Sequence, residues 1–180
     1  MQPKRFAGFQ RGLTLIEICV VLAIVSILVG TAMPSFEKTK QKLALDGTAA
    51  EMSTDLRYVR SEAVARNEGV RISFRSVAAG TCTIIHTGGA TDCHCAADGT
   101  AQCSSGAALL KSTLHRAGDG VVVAANVASM RFDPINGTVT PTGTICNVGT
   151  DGKAVHVVVN MMGRVRTCVP TARFSPCAPC

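Results

Sequence analysis

At 180 residues the chain is long enough for about one domain with an appendage, which excludes a multidomain enzyme. Apolar residues make up 47%, yet the aromatics are six Phe and one Tyr with no Trp, so a core must come from Val, Ile, Leu and Ala, and platforms for stacking single-stranded bases are scarce. A formal net charge of +6 and a pI near 9.0 admit nucleic acid or an anionic surface as partner, and nine cysteines point away from a reducing cytosol toward an extracytoplasmic compartment.

The first twelve residues, MQPKRFAGFQRG, carry Lys4, Arg5 and Arg11 and no acid. Residues 13–33 follow as LTLIEICVVLAIVSILVGTAM, an apolar run with a single charge, Glu17. As a helix this run would be roughly 30 Å long, the thickness of a bilayer core. The basic flank keeps the N-terminus cytoplasmic and sends the rest of the chain across. A cleaved secretory signal, cut near Gly30-Thr31-Ala32, and a plain signal anchor are the ordinary readings of such a segment. Glu17 argues against both, because an unpaired carboxylate in an apolar run is costly. A cut after Gly12 supplies a partner: the new amine at Leu13 lies near the carboxylate, and among parallel helices Glu17 of one subunit could neutralise the amine of its neighbour and favour one axial register.

Gly12-Leu13-Thr14-Leu15-Ile16-Glu17 resembles the processing site of type IV prepilins and type II secretion pseudopilins, with Gly last in the leader and Glu at mature position five. Pro34 stands at mature position 22, where that family often has a helix-kinking proline. The resemblance implies that prepilin peptidase cleaves after Gly12 and methylates the amine of Leu13, which replaces the family's usual Phe. It also implies that Glu17 acts in assembly with other pilins, after a stage in the inner membrane as a single-pass protein with its head in the periplasm.

Beyond Pro34, Leu45, Ala49, Met52, Leu56, Val59 and Ala63 recur at alternating steps of four and three, which places them on one helix face. Along residues 35–68 six basic side chains (Lys38, Lys40, Lys42, Arg57, Arg60, Arg66) balance six acidic ones (Glu37, Asp46, Glu51, Asp55, Glu62, Glu68), the pattern of a solvated face with i,i+4 pairs such as Glu62 with Arg66. Asn67 and Gly69 signal the helix stop.

After Gly69 short β-rich runs alternate with Gly, Asp, Asn and Pro, and predict strands over 70–75, 82–86, 120–124, 129–132, 138–140, 144–148, 154–160 and 164–169. A long helix followed by such strands predicts an α+β fold with a mostly antiparallel sheet. The runs GTVTPTGTIC, KAVHVVVN and GRVRTC resemble the FimT/GspH group of minor pilins and pseudopilins, and this implies the type IV pilin fold, a long helix packed on a β-sheet head. The expected organisation is a leader over 1–12, a transmembrane segment over 13–33, the amphipathic half of the helix over 34–68 and a globular head over 69–180. The segment from about 80 to 118 matches nothing assignable.

In Gly163-Arg164-Val165-Arg166, a hairpin closed by Gly163 puts Arg164 and Arg166 on one face with Cα atoms roughly 6.6 Å apart, comparable to successive phosphates on one nucleic acid strand. Each guanidinium can donate two hydrogen bonds to a phosphate. The GRxR tract is similar to the motif by which FimT-type minor pilins bind double-stranded DNA during natural transformation, and the resemblance carries Gly163, Arg164 and Arg166 over as the DNA-contacting element. Lys153 and Arg173 join them by proximity in sequence. The rival reading is a structural hairpin in a pseudopilin of a type II secretion system, or in a minor pilin that primes pilus assembly.

Cys19 sits in the apolar helix, and the other eight cysteines (Cys82, Cys93, Cys95, Cys103, Cys146, Cys168, Cys177, Cys180) are disulfide candidates. Bonds within 82–103 would staple a segment too rich in Gly, Thr and Ala to hold a shape, and a bond from the tail to Cys146 or Cys168 would pin it beside the GRxR hairpin. A metal or redox site on Cys93-His94-Cys95 with Cys103, or on Cys177-Ala178-Pro179-Cys180, lacks a second matched pair. His86, His94, His115 and His156 are scattered. No catalytic motif stands out, so neither an enzyme nor a cofactor is expected. Removal of the leader leaves +3, with −1 from Glu17, zero along residues 35–68 and +4 from Gly69 onward, so the positive excess lies on the head that carries the GRxR tract.

Overall fold

The computed structural model describes Gly12, residues 14–104 and 106–170, and Cys177, so the readings placed on Leu13, Arg173 and Cys180 lie outside the described residues. Two compact units emerge, Met1–Thr39 and Lys40–Cys180.

Thr14 opens the long helix α1 (Leu15–Arg66), its hydroxyl oxygen accepting the Glu17 N–H at 3.3 Å. Thr-x-x-Glu is the sequence of a capping box, and an acid in the first turn is favoured by the helix dipole. Thr14 is therefore the N-cap, and the Glu17 carboxylate lies in the favoured first turn. The apolar side chains from Leu15 to Val29 are exposed. Among the described residues no single helix is long and apolar enough to cross a membrane; Leu15–Gly30 and Ser35–Arg66 meet that requirement only as a pair.

In the second unit α1 carries the stripe read from the sequence: Leu45, Ala49, Met52, Leu56, Val59 and Ala63 are all buried. The helix ends where Asn67 takes a left-handed conformation (φ 52), with the Asn67 N–H bonded to the Val64 carbonyl and the Glu68 N–H to the Ala63 carbonyl, both at 3.2 Å. This is a Schellman end with asparagine in the glycine position. The Glu62–Arg66 pair closes at 2.6 Å. The neutral charge count concealed one exception: Asp55 is not on the solvated face but is buried, with Oδ1 2.6 Å from Lys111 Nζ.

Among the described residues eleven strands follow, and every pairing is antiparallel. β1 (Val70–Val77), β2 (Gly80–Thr87), β5 (Leu109–Arg116), β7 (Ser129–Phe132) and β8 (Val139–Thr140) form a five-stranded sheet in the order β5-β2-β1-β7-β8. β6 (Val121–Ala125), β9 (Gly143–Gly149), β10 (Ala154–Val159) and β11 (Val165–Cys168) form a four-stranded sheet in the order β11-β10-β9-β6. Ala49, Met52, Leu56, Val59 and Ala63 pack into one core with Val70, Ile72, Met130 and Phe132 of the first sheet and Val123, Ile145, Val157 and Val159 of the second. Each Val, Leu, Ile, Met or Phe side chain here contributes about 1.5–3 kcal/mol on full burial, so truncating one such helix residue, as in Leu56→Ala, would cost about 2–5 kcal/mol.

The segment over 80–118 holds regular structure at its described residues. It supplies β2, the small hairpin β3 (Cys93–Cys95) with β4 (Ala101–Cys103), and β5. Cys82–Cys95 and Cys93–Cys103 disulfides close a second small core around Cys82, Ile84 and Cys93, with Val77, Ala107 and Leu114 against it. Covalent staples and pairing of β5 with β2 fix what composition alone does not.

Candidate functional site

The GRxR tract forms the hairpin between β10 and β11. Asn160 N–H donates to the Arg164 carbonyl at 3.2 Å, Gly163 N–H to the Asn160 carbonyl at 2.9 Å, and Arg164 N–H to the Asn160 side-chain oxygen at 2.8 Å. A turn over 160–163 with its last residue left-handed is the three-residue hairpin that calls for glycine there, and Gly163 has φ +72. A second constraint acts on the same atom, because a Cβ at Gly163 would collide with the carbonyl oxygen of Gly137. The hairpin is also tied to the neighbouring sheet by the Val139 N–H, which donates to the Met161 carbonyl at 2.9 Å.

Arg164 and Arg166 are both exposed and flank Val165, which packs against the core; in register, Arg166 stands opposite Val158 and Val165 opposite Val159. Between β11 and α1 runs a groove of about 840 Å³, lined by Gly163, Arg164 and Val165 on one side and by Arg57, Arg60, Ser61, Val64 and Ala65 of the helix on the other. Arg57 and Arg60 are exposed, and the Arg60 guanidinium approaches both Gly137 and Gly163. None of Arg57, Arg60, Arg164 and Arg166 forms an ion pair among the described residues, whereas Arg66, one turn along, is held by Glu62. The groove is a cationic slot with an apolar floor.

Of the weaker candidates, Lys153 is not brought to this slot. It sits in the turn before β10, at the far end of that strand, with Nζ 2.9 Å from Asp151 Oδ2, and this contact holds the Asp151 carboxyl below the usual range. Arg173 lies outside the described residues. Arg57 and Arg60 were the residues that sequence reasoning missed. A signal existed: neither has an acid at i±3 or i±4, unlike Arg66 with Glu62.

Of the two acceptors proposed for the tail, Cys146 is bonded to Cys177; Cys168 is disulfide-bonded as well. Cys146, His156 and Cys168 form one row across β9, β10 and β11, two residues along from Arg166, so the bond to Cys146 fixes Cys177 to the sheet that carries the motif. Cys93, Cys95 and Cys103 are tied up in disulfides, and no group of three or more His, Cys, Asp or Glu side chains is placed to hold a metal among the described residues. His86 is fully buried: Nδ1–H donates to the Thr87 carbonyl at 2.9 Å, which leaves Nε2 to accept from Ser73 Oγ at 2.9 Å, and burial pushes its pKa down.

A long N-terminal helix clasped along its second half by antiparallel sheets defines a pilin-like subunit. The fold is similar to the type IV minor pilin FimU of Pseudomonas aeruginosa (strain PAO1), at a TM-score of 0.53 and 19% identity over 76% of this chain and 99% of that one. A second crystal form of FimU gives 0.50 and 20% over 72% and 100%. Residues 48–163 match the family model for the type II transport protein GspH, and residues 8–33 match the prokaryotic N-terminal methylation motif. The chain belongs to the GspH family. A curated relative, the pilin-like protein PilA1 of Thermus thermophilus, is 38% identical over 71 residues, which are 39% of this chain and 44% of that protein, so the chain spans less than half the length of this relative. The chain is accordingly a GspH-like pilin subunit, a structural protein and not an enzyme. The family match ends at Gly163, so Arg164 and Arg166 lie beyond it.

Proposed function

We propose that the head binds double-stranded DNA through the Gly163–Arg166 hairpin and that the subunit serves DNA uptake from a pilus. The supporting observation is the grouping of Arg164 with Arg57 and Arg60 around one groove, exposed and without a carboxylate partner among the described residues. Unpaired guanidinium groups at a surface are matched by phosphates, which accept two hydrogen bonds from each. Binding of this kind is independent of base sequence, weak per subunit and steeply salt-dependent. Prepilin peptidase would free and methylate the amine at Leu13, and the exposed apolar face from Leu15 to Val29 would hold the subunit in the inner membrane before packing against other pilins.

The test is a mobility shift with the full chain in detergent and a short duplex at low salt. An Arg164→Ala/Arg166→Ala double variant should bind more weakly with an unchanged thermal midpoint, and the slope of log K against log salt should flatten by about 2. Equal binding by wild type and double variant removes the proposal and leaves the head as a protein-contacting surface of a pseudopilin or an assembly-priming minor pilin.

A further inference from the structure

Beside the arginines, the same hairpin leaves large apolar side chains in water. Met161 and Met162 are 64% and 63% exposed, and Ile135 on the adjoining loop is 82% exposed. Exposed apolar residues scattered singly need no explanation. Here three of them stand on two loops whose backbones touch, through the Val139 N–H on the Met161 carbonyl and the close approach of Gly137 to Gly163. Neither loop is loosely held. Asp133 N–H donates to the Thr138 carbonyl at 2.9 Å and Gly137 N–H to the Asp133 carbonyl at 3.0 Å, while Asp133 Oδ1 accepts from the backbone of Ile135 and Asn136 at 3.0 and 2.9 Å. The apolar tip is thus presented on an ordered support, and contact with a partner requires little further ordering.

Charge selects the partner. The residue after the tip glycine is Arg164, and Arg57 and Arg60 line the groove behind it. A surface that meets both parts must offer anionic groups beside an apolar interior. Duplex DNA does so at the minor groove, where phosphates border stacked bases, and apolar side chains including Met enter between base steps there and kink the helix. Methionine suits this use because its unbranched, polarizable side chain adapts to irregular contacts.

We propose that Met161 and Met162 form an apolar wedge that enters the minor groove and opens a base step while Arg164, Arg57 and Arg60 hold the flanking phosphates. This rests on the duplex-binding reading above and extends it from phosphate contact to deformation of the DNA. Flexible pyrimidine–purine steps such as TA would be preferred at the wedge.

The experiment uses the full chain in detergent and a 30-base-pair duplex with 2-aminopurine in a central TA step, with a mobility shift in parallel. Wild type should raise the 2-aminopurine fluorescence on binding. A Met161→Ser/Met162→Ser variant should lose that rise and bind about tenfold more weakly, on the scale of one partly buried methionine, while keeping the wild-type salt slope and thermal midpoint. A Met161→Leu/Met162→Leu variant should keep the rise. If wild type binds and the serine variant binds equally well with the same fluorescence, the wedge is overturned and the arginine site stands. If the serine variant keeps DNA binding but no longer enters pilus assemblies, the tip belongs to a protein contact and the wedge is again overturned. If wild type binds no duplex at low salt, both readings fall.

Discussion

Replacing Gly163 with alanine separates the two reasons for glycine at the head of the GRxR tract. An L-residue in the left-handed region costs about 1–2 kcal/mol because its Cβ crowds the following carbonyl. The new Cβ would also meet the Gly137 carbonyl oxygen, a backbone atom on a loop held by the Gly137–Asp133 and Val139–Met161 hydrogen bonds, so relief requires shifting the loop. Overpacking of this kind costs about 1–3 kcal/mol, for a total of about 2–5 kcal/mol. Gly137→Ala is the matched control. Gly137 also has positive φ (+61), but its Cβ would meet the Arg60 side chain at 2.7 Å from Nε and 3.0 Å from Nη2, and an exposed guanidinium can swing away. That variant should lose only about 1–2 kcal/mol. For a unit of this size each kcal/mol lowers the thermal midpoint by roughly 4 °C, which gives a drop of roughly 8–20 °C for Gly163→Ala and roughly 4–8 °C for Gly137→Ala. Thermal unfolding followed by circular dichroism reads both. Equal midpoints for the two variants, or a loss below about 1 kcal/mol for Gly163→Ala, would refute the claim that the backbone approach to Gly137 demands glycine.

Lys111→Ala should destabilise the fold by about 2 kcal/mol in urea unfolding, because it strands the buried Asp55 carboxylate; the value is below the usual range for a broken buried pair because the Lys111 side chain is 38% exposed. Burial lowers the pKa of both His86 and His115 relative to the unfolded chain, so below about pH 6.5 the unfolded state binds more protons and stability falls with pH. Denaturation midpoints at pH 7.5 and 5.5 should show the loss, at most about 1.4 kcal/mol per pH unit for each group, and a double His86→Gln/His115→Gln variant should flatten the dependence. Cys93→Ser/Cys103→Ser should cost about 2–4 kcal/mol and speed amide exchange at β3 and β4 while leaving β9 and β10 protected.

The sequence made the helix legible through its stripe, because six apolar residues at steps of four and three have one structural solution. The apolar–polar alternation of SMRF over 129–132 and the Val-rich run AVHVVVN over 154–160 were equally readable. β3, β4 and β5 were not, since CHC, AQC and LLKSTLHR carry no alternation of their own and take their order from disulfides and from β2. The helix stop was read at Asn67 and Gly69, and only Asn67 takes the left-handed turn; Gly69 is covered by the Arg131 side chain, which would have to move to admit a Cβ. For the candidate site, the motif named Gly163, Arg164 and Arg166 because they are neighbours in sequence. Arg57 and Arg60 reach the same groove from α1, and a linear charge count cancels them against Glu51 and Asp55, which the fold pairs with Lys111 instead.

The bond from the Val139 N–H to the Met161 carbonyl also has a mechanical meaning. β11 is a four-residue strand at the edge of its sheet, and a load applied at its tip would otherwise peel it from β10 one rung at a time. Because the tip is linked to β8, tension on anything held at Arg164 is shared with the five-stranded sheet. A load on the hairpin is thus carried by hydrogen bonds to both sheets rather than by the β10–β11 rungs alone.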